Sequence, residues 1–390
     1  MSSSPKKSDD CRQPWILQLC HGYDGPFLDC ARQYAALFKD TGYRVCTVYL
    51  TGSADPQVEA YSESDEVIFL SQPKRALSGL KLKIAQQISV LTQSRCFIVC
   101  IAHRFKPTYL ALIGSKLPVI GINHAFGVYS RFTRRLLANF YRERLTLLGV
   151  SDAVRDDIRR MLPNWPEARI QTLYNRIDIA RIRAEQSTRE TARHFLGLPT
   201  DAWIVGNVGR LHPDKDQETL LRGFAHARKS LPSGALLVII GSGPLEDKLK
   251  SLAKHLEIGD AVRFLGQIPQ ARRYFKAFDS FALTSDHEPF GMVLLEAMAA
   301  GVATICTDCG GGKEVVRGTG LLVPLRAPEA LAEAMLAQVG TDTKRVAQTR
   351  CEMLTVLEER FSDQAIRRVF WSRDIIPKIK EHVPNKQPLA

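Results

Sequence analysis

Several residues in this chain have the type and spacing to work on a polar, anionic ligand. Arg210 and Lys215 stand five apart in Gly209-Arg-Leu-His-Pro-Asp-Lys215, directly after the apolar run Trp203–Val208. An arginine grips two phosphate oxygens at once and a lysine adds a point charge, so the pair suits a diphosphate. Glu288 and Glu296 stand in Ser285-Asp-His-Glu288-Pro-Phe-Gly291-Met-Val-Leu-Leu-Glu296. Pro289 keeps Glu288 in a loop, whereas Glu296 falls inside the helix that begins near Gly291. Eight helical residues span ~12 Å, too far for the paired acid and nucleophile of a glycosidase. It is a sensible span for gripping two ends of an elongated polar ligand, and the helix start between the carboxylates would face an anion. Glu296 lies among Leu294, Leu295, Ala297 and Met298, and a half-buried carboxylate there needs a partner.

Glycine turns and histidines mark further strand ends. Gly241-Ser-Gly243-Pro244 follows Ala235–Ile240, and Gly310-Gly-Gly-Lys-Glu314 follows Val302–Cys306. Neither is a full dinucleotide fingerprint, and no G-x-x-x-x-G-K-[ST] string occurs. Close backbone approach, to a nucleotide or to a neighbouring loop, explains such glycines. In the first half, His21-Gly22-Tyr-Asp-Gly25 follows Trp15–Cys20, and His103 and His124 each end an apolar run. Asp214-Lys-Asp216 reads as a solvated helix start rather than a metal site. The nine cysteines are odd in number and mostly sit among apolar residues, as reduced core thiols do. Cys306-x-x-Cys309 has no second pair at zinc spacing.

The elements that position these residues alternate. Trp15–Cys20, Arg44–Leu50, Val67–Leu70, Cys96–Ile101, Val119–Ile122 and Thr146–Val150 read as strands, with Phe27–Lys39 and Leu80–Leu91 as amphipathic helices. The pattern restarts after Asn175 with strands at Trp203–Val208, Ala235–Ile240, Ala261–Leu265, Ser280–Thr284, Val302–Cys306 and Gly320–Val323. Helices are expected at Glu218–Lys229, Leu245–His255 and Met292–Ala300. Near-continuous apolar strands alternating with helices make parallel sheets covered on both faces. Two such series predict two doubly wound α/β domains, with the Arg-rich Ile177–Thr191 stretch as linker. Ligands in such sheets lie at the carboxyl ends of strands, which makes the cleft between the domains the expected site.

Charge is uneven. The 390 residues carry 53 basic and 41 acidic groups, net +12. Within 71–145 there are 13 basic residues and one acid, Glu143. Part of that excess lies in Ser130–Leu148, where Phe132, Leu136, Leu137 and Phe140 recur at helical spacing and predict a basic amphipathic helix. Plain solubility and attraction to an anionic surface both fit this pattern, and no nucleic-acid module accompanies it. The polar Met1–Asp10 start and the absence of a ~20-residue apolar run argue against a secreted or membrane-spanning protein.

Taken together, Gly209-Arg210…Lys215, Gly241-Ser-Gly243-Pro244, Val262-Arg263-Phe264-Leu-Gly266 and Glu288-Pro-Phe-Gly-Met-Val-Leu-Leu-Glu296-Ala-Met-Ala-Ala-Gly301 resemble the GT4 family of retaining glycosyltransferases. The resemblance runs from about residue 12 to 375. It implies the GT-B fold, two Rossmann-like doubly wound domains facing across a cleft. Domain boundaries follow at 12–185 for acceptor binding and 190–360 for the nucleotide-sugar, with a 361–380 helix crossing back. By the same resemblance Arg210 and Lys215 hold the donor diphosphate, Glu296 the ribose, and Glu288 lies at the donor sugar. Phe290 and Gly291 present backbone amides, and Gly209, Gly243, Arg263 and Phe264 flank phosphate or base. Gly22 and Gly25 stand where the family closes a glycine loop over phosphate. His124 matches a family histidine near donor and acceptor. Asn175-Arg176-Ile-Asp178 departs from the family's N-G-hydrophobic-D, with Arg176 in place of glycine.

The expected activity is transfer with retention from a nucleotide-diphosphate sugar, a UDP-sugar ahead of a GDP-sugar. The acceptor is a lipid-linked or lipopolysaccharide-core glycan at the inner membrane face. No metal or other cofactor is required. The protein would be cytoplasmic and peripheral on the membrane through its basic region. A soluble sugar or sugar-phosphate acceptor, and a non-catalytic sugar-nucleotide-binding scaffold, are the alternatives.

Overall fold

Strand runs such as Trp15-Ile-Leu-Gln-Leu-Cys20 bury every side chain, which only a strand covered on both faces can satisfy. The computed structural model describes residues 13–25 and 27–372, and they divide into two units, Met1–Leu173 with Arg367–Ala390, and Tyr174–Ile366.

The first unit is built on seven parallel strands: β1 (Trp15–Cys20), β2 (Arg44–Tyr49), β3 (Glu66–Phe69), β4 (Phe97–His103), β5 (Val119–Asn123), β6 (Leu145–Gly149) and β7 (Ile170–Thr172). Their order is β3-β2-β1-β4-β5-β6-β7. The one polar side chain of β1, Gln18, donates its amide Nε2 to Ala31 O and Thr47 Oγ1. The order reverses between β1 and β4, so their carboxyl ends, Cys20 and His103, flank the switch point where a crevice opens.

The second unit has six strands: β8 (Ile204–Val208), β9 (Leu236–Ile240), β10 (Val262–Phe264), β11 (Ser280–Leu283), β12 (Ala303–Thr307) and β13 (Leu321–Val323). Their order is β10-β9-β8-β11-β12-β13, all parallel, and its switch point lies between β8 and β11. Both units are therefore parallel, doubly wound α/β sheets, as the alternation predicts.

Two expectations need correction, the Ser130–Leu148 helix and the Ile177–Thr191 linker. The Ser130–Leu148 helix is shorter, Phe132–Phe140, because Leu145, Leu147 and Leu148 are drawn into the sheet as β6 and buried there. The three-residue β7 is too short to show a period in sequence. Ile177–Thr191 is no free linker. Asp178 caps a helix over Ile179–Glu185, and the Arg189–Phe195 helix is fixed by Arg193, which donates to Ala277 O and pairs with Asp279 at 2.9 Å. The division accordingly falls at 173/174, before the expected boundary between 185 and 190. Finally, the last described helix, Asp363–Ser372, is divided between the units. From Arg367 onward it packs in the first, where Trp371 stacks on Tyr43 and donates to Leu37 O at 2.9 Å. The remainder of the expected 361–380 helix lies outside the described residues.

Candidate functional site

In the second unit the chemistry gathers where the β8 and β11 loops meet. The short turn Pro213–Lys215 leads into a helix at Gln217–Ala227, whose cap is Asp216. The Asp216 carboxylate accepts from Thr219 N and Thr219 Oγ1, and Asp214 pairs with Arg210 and His212. Both aspartates of the D-x-D string thus serve the loop. The loops are tied together by Asp286 N to Asp214 O at 3.2 Å and Thr284 Oγ1 to Lys215 O at 3.1 Å.

Held this way, Lys215 Nζ reaches Glu288 Oε2 at 2.7 Å, and Ser285 Oγ donates to the same oxygen at 3.1 Å. Glu288 is buried, and its carbonyl accepts from Gly311 N at 2.8 Å. A buried carboxylate with an ammonium and a hydroxyl is a fixed electrostatic element rather than a free surface acid. Arg210 is largely exposed at the same strand end. Gly291, at φ +95°, starts the Met292–Ala299 helix. A side chain on Gly311 would come within 2.3 Å of Pro289 O, so the Gly310–Gly312 turn is what seats the Glu288–Gly291 loop.

The other expected residues divide. Phe290 turns its ring into the unit's interior against Tyr174 and Phe361, leaving only its backbone for the loop. Glu296 is half-buried on the helix that Gly291 starts. Gly209 is open, with nothing within 4 Å of where a Cβ would sit. Gly243 is not: its Cβ would lie 2.3 Å from Leu211 O, and that of Gly241 1.8 Å from Gly209 O. These two glycines let neighbouring loops close on each other. Phe264 is half-buried at the end of β10 with Lys250 over its ring. Arg263 points the other way, donating to Asp260 O at the amino end of β10, 2.7 Å. The structure does not bring it to the loop cluster, because the carbonyls of its own preceding turn satisfy it.

Cys306 and Cys309 are free and buried behind this cluster. Burial pushes both thiols up, and Cys309 Sγ donates to Ser285 O at 3.0 Å. They are core thiols that support the Ser285–Glu288 loop.

In the first unit His103 and His124 end neighbouring strands and stack, with Nδ1 of His103 3.4 Å from Nε2 of His124. Burial, then the Arg104 charge, pulls His124 down to about 4. Burial, then His124, holds His103 well below its usual value. Phe27 packs edge-on to His124, and the Arg104 guanidinium lies 3.7 Å from the Phe27 ring centre. Gly22 is buried, its Cβ position only 2.6 Å from Thr51 Oγ1, whereas Gly25 sits in an open turn at φ +59°. Sequence reasoning did not single out Ser285, Arg104 or Lys106. The signal for Arg104 and Lys106 was their position one and three residues after His103, at a strand end.

Residues 188–348 match the family model "Glycosyl transferases group 1". The chain is 36% identical over 193 residues to the D-inositol 3-phosphate glycosyltransferase of Corynebacterium urealyticum, covering 46% of this chain and 45% of that protein. It is 30% identical over 220 residues to the uncharacterized glycosyltransferase MJ1607 of Methanocaldococcus jannaschii, covering 54% and 56%. The chain thus spans about half the length of the curated relatives it matches. Among solved structures, a glycosyltransferase from Rickettsia africae aligns with a TM-score of 0.80 at 14% identity, over 93% of this chain and 97% of the other. Anabaena Alr3699/HepE, solved in complex with UDP and glucose, aligns at 0.73 and 20% identity, over 92% and 98%. The second unit thus carries a match to glycosyl transferases group 1, and the chain's two parallel-sheet units share the GT-B fold of these glycosyltransferase structures.

Proposed function

We propose that the chain is a retaining glycosyltransferase that moves a sugar from a nucleotide-diphosphate donor to a glycan acceptor displayed at an anionic membrane surface. A UDP-sugar is the preferred donor, and the acceptor is of lipid-linked or lipopolysaccharide-core type. The observation that carries the donor half is the buried Glu288, bound by half-buried Lys215 and by Ser285 beside Arg210, at the carboxyl ends of β8 and β11. In the reaction the bond from the sugar's anomeric carbon to the diphosphate breaks. A bond to the acceptor oxygen forms on the same face, and the acceptor's proton leaves with the diphosphate oxygen. Arg210, Lys215 and the start of the Met292–Ala299 helix stabilise the charge that develops on the leaving group. Glu296 holds the ribose, and Glu288 orients Lys215 and lies at the donor sugar. His124, neutral at pH 7, is positioned to hydrogen-bond a hydroxyl rather than to supply a charge.

One observation supports the membrane half. Leu80, Leu82, Phe132, Leu136 and Phe140 are all exposed, and they interleave with Lys81, Lys83, Arg131 and Arg135. Among the described residues no helix is long and apolar enough to cross a membrane. The enzyme would then be cytoplasmic, held at the surface from outside the bilayer core. A soluble sugar-phosphate acceptor is the second reading, favoured by the inositol phosphate in the relatives' names.

Thermal shifts with UDP, GDP, ADP and their sugars, on wild type and Glu296→Ala, test the donor site. One diphosphate is expected to raise the midpoint by mass action, and Glu296→Ala is expected to remove most of the rise. If no nucleotide stabilises the wild type, with or without Mg²⁺, the transferase reading fails.

A further inference from the structure

A cavity of about 270 Å³ opens at the carboxyl ends of β4 and β5, entirely within the first unit. That is near the lower end of the ~300–1,000 Å³ typical of small-molecule sites. Its polar lining is Arg104, Lys106, Arg134, His21, Asn123 and His124, and no carboxylate lines it. None of the three cations has an ion-pair partner among the described residues. Arg104 is held over Phe27 and Arg134 over Phe105, and Arg134 donates to Val128 O at 2.9 Å. The surroundings add like charge. Lys81 repels Lys106, and Arg131 repels Arg134. Arg104 itself takes φ +75° and ψ 167°, a positive-φ conformation uncommon for any residue but glycine, at the start of the Phe105–Gly114 helix. No side chain caps that helix.

Three cations without a carboxylate partner, of which Arg104 and Lys106 are exposed and Arg134 half-buried, give one cavity a positive potential that an anion would complete. A single carboxylate would leave cations unanswered. A phosphate monoester carries nearly two negative charges and three acceptor oxygens, enough for all three. We infer that this pocket holds a phosphate group of the acceptor, with Arg104, Lys106 and Arg134 as its ligands. The word acceptor rests on the transferase reading above, because the donor diphosphate is there given to Arg210 and Lys215. The phosphate site itself does not rest on it. The chemistry is shared by a soluble sugar phosphate and by a lipid phosphate, and the exposed Leu80, Leu82 and Phe132 on neighbouring segments would suit the second.

The test is calorimetric titration of inorganic phosphate into the full chain and into Lys106→Gln, Arg104→Gln and Lys116→Gln. Lys106 and Lys116 are both exposed, on the two ends of the region around the Phe105–Gly114 helix, so both variants should fold. Saturable binding is expected in wild type and in Lys116→Gln. Lys106→Gln and Arg104→Gln should each weaken it by about tenfold, the loss of one charge-assisted contact. Saturating nucleotide diphosphate should not displace the phosphate. Phosphate that fails to bind wild type, or binds Lys106→Gln and Arg104→Gln unchanged, overturns the inference. Displacement by nucleotide also overturns it, since the pocket would then belong to the donor. If phosphate binds as expected while no nucleotide binds, the site stands and the transferase reading is what fails. Vesicles of phosphatidylcholine with and without phosphatidic acid then separate the sources. Phosphatidate-dependent capture that Lys106→Gln weakens identifies a lipid phosphate, and its absence beside phosphate binding identifies a soluble one.

Discussion

The loop glycines of the second unit do two different jobs, and substitution separates them. Gly241 has φ +143° and would push a Cβ to 1.8 Å from Gly209 O. Gly241→Ala should therefore destabilise the fold by roughly 2–4 kcal/mol, through strain and overlap with a rigid backbone. Gly209→Ala meets nothing within 4 Å, and its urea midpoint should match wild type. Loss of nucleotide-induced stabilisation in Gly209→Ala, at unchanged midpoint, would show that a ligand approaches there. An unchanged midpoint for Gly241→Ala would refute the packing role. The histidines make a prediction about pH. Both are held below their unfolded values, so the unfolded state binds more protons as pH falls. Their stabilising effect is fully present above ~6.5, the unfolded value, and is lost as pH falls toward about 4, where His124 titrates. The loss from His124 should be on the order of 1–3 kcal/mol, and thermal midpoints between pH 7.5 and 4 should fall less steeply in His124→Asn than in wild type. Equal slopes would remove this assignment. At this scale much was legible. Arg210, Lys215, Glu288 and Glu296 stand out by type and spacing at strand ends. The pairing of Lys215 with Glu288 did not, since it joins residues 73 apart and arises only because β8 and β11 are neighbours. Arg263 misled because a strand end does not say which way a side chain on that strand points.

Elements were legible wherever a period could repeat. Long apolar strands and amphipathic helices announce themselves over six or more residues, and both sheets follow from them. What failed was short or contested. Leu145–Leu148 fits both the apolar spacing of the helix before it and the Thr146–Val150 strand run, and pairing with β5 and β7 settles it as strand. The Tyr174–Ile177 segment shows how much such local sequence can hide. Arg176, in place of a family glycine, is fully buried and pairs with Asp363 at 2.7 Å, while Ile177 N donates to Phe361 O. This fastens the segment after β7 to the start of the last helix within the second unit. A buried guanidinium without its counter-charge is strongly destabilising, ~3–5 kcal/mol for full burial. Asp363 is partly exposed, so Asp363→Asn should cost about 2–3 kcal/mol, read as a lower urea midpoint at unchanged slope. A midpoint within experimental error of wild type would mean that water already screens the pair.

For the whole molecule the uneven charge is the property that matters. Of the net +12, residues 1–190 carry 27 basic against 18 acidic groups, and the basic excess is densest in 71–145. Charge alone gives solubility and long-range attraction, which salt screens over ~8–10 Å at moderate ionic strength. Exposed Phe132, Leu136 and Phe140 on one nine-residue helix add a contribution that salt does not screen. The two can therefore be told apart on anionic vesicles. Each basic residue near the surface contributes ~1 kcal/mol at physiological salt, so binding should weaken steeply as salt is raised. Phe132→Ser with Phe140→Ser should weaken binding further by roughly 2–4 kcal/mol, about equally at low and high salt, with the thermal midpoint unchanged because both rings are solvent-exposed. Arg131→Gln with Arg135→Gln should instead flatten the salt dependence and leave high-salt binding as it was. If neither pair of substitutions alters vesicle binding, or if wild type shows none at low salt, the basic face serves solubility. The acceptor would then have to reach the first unit from solution.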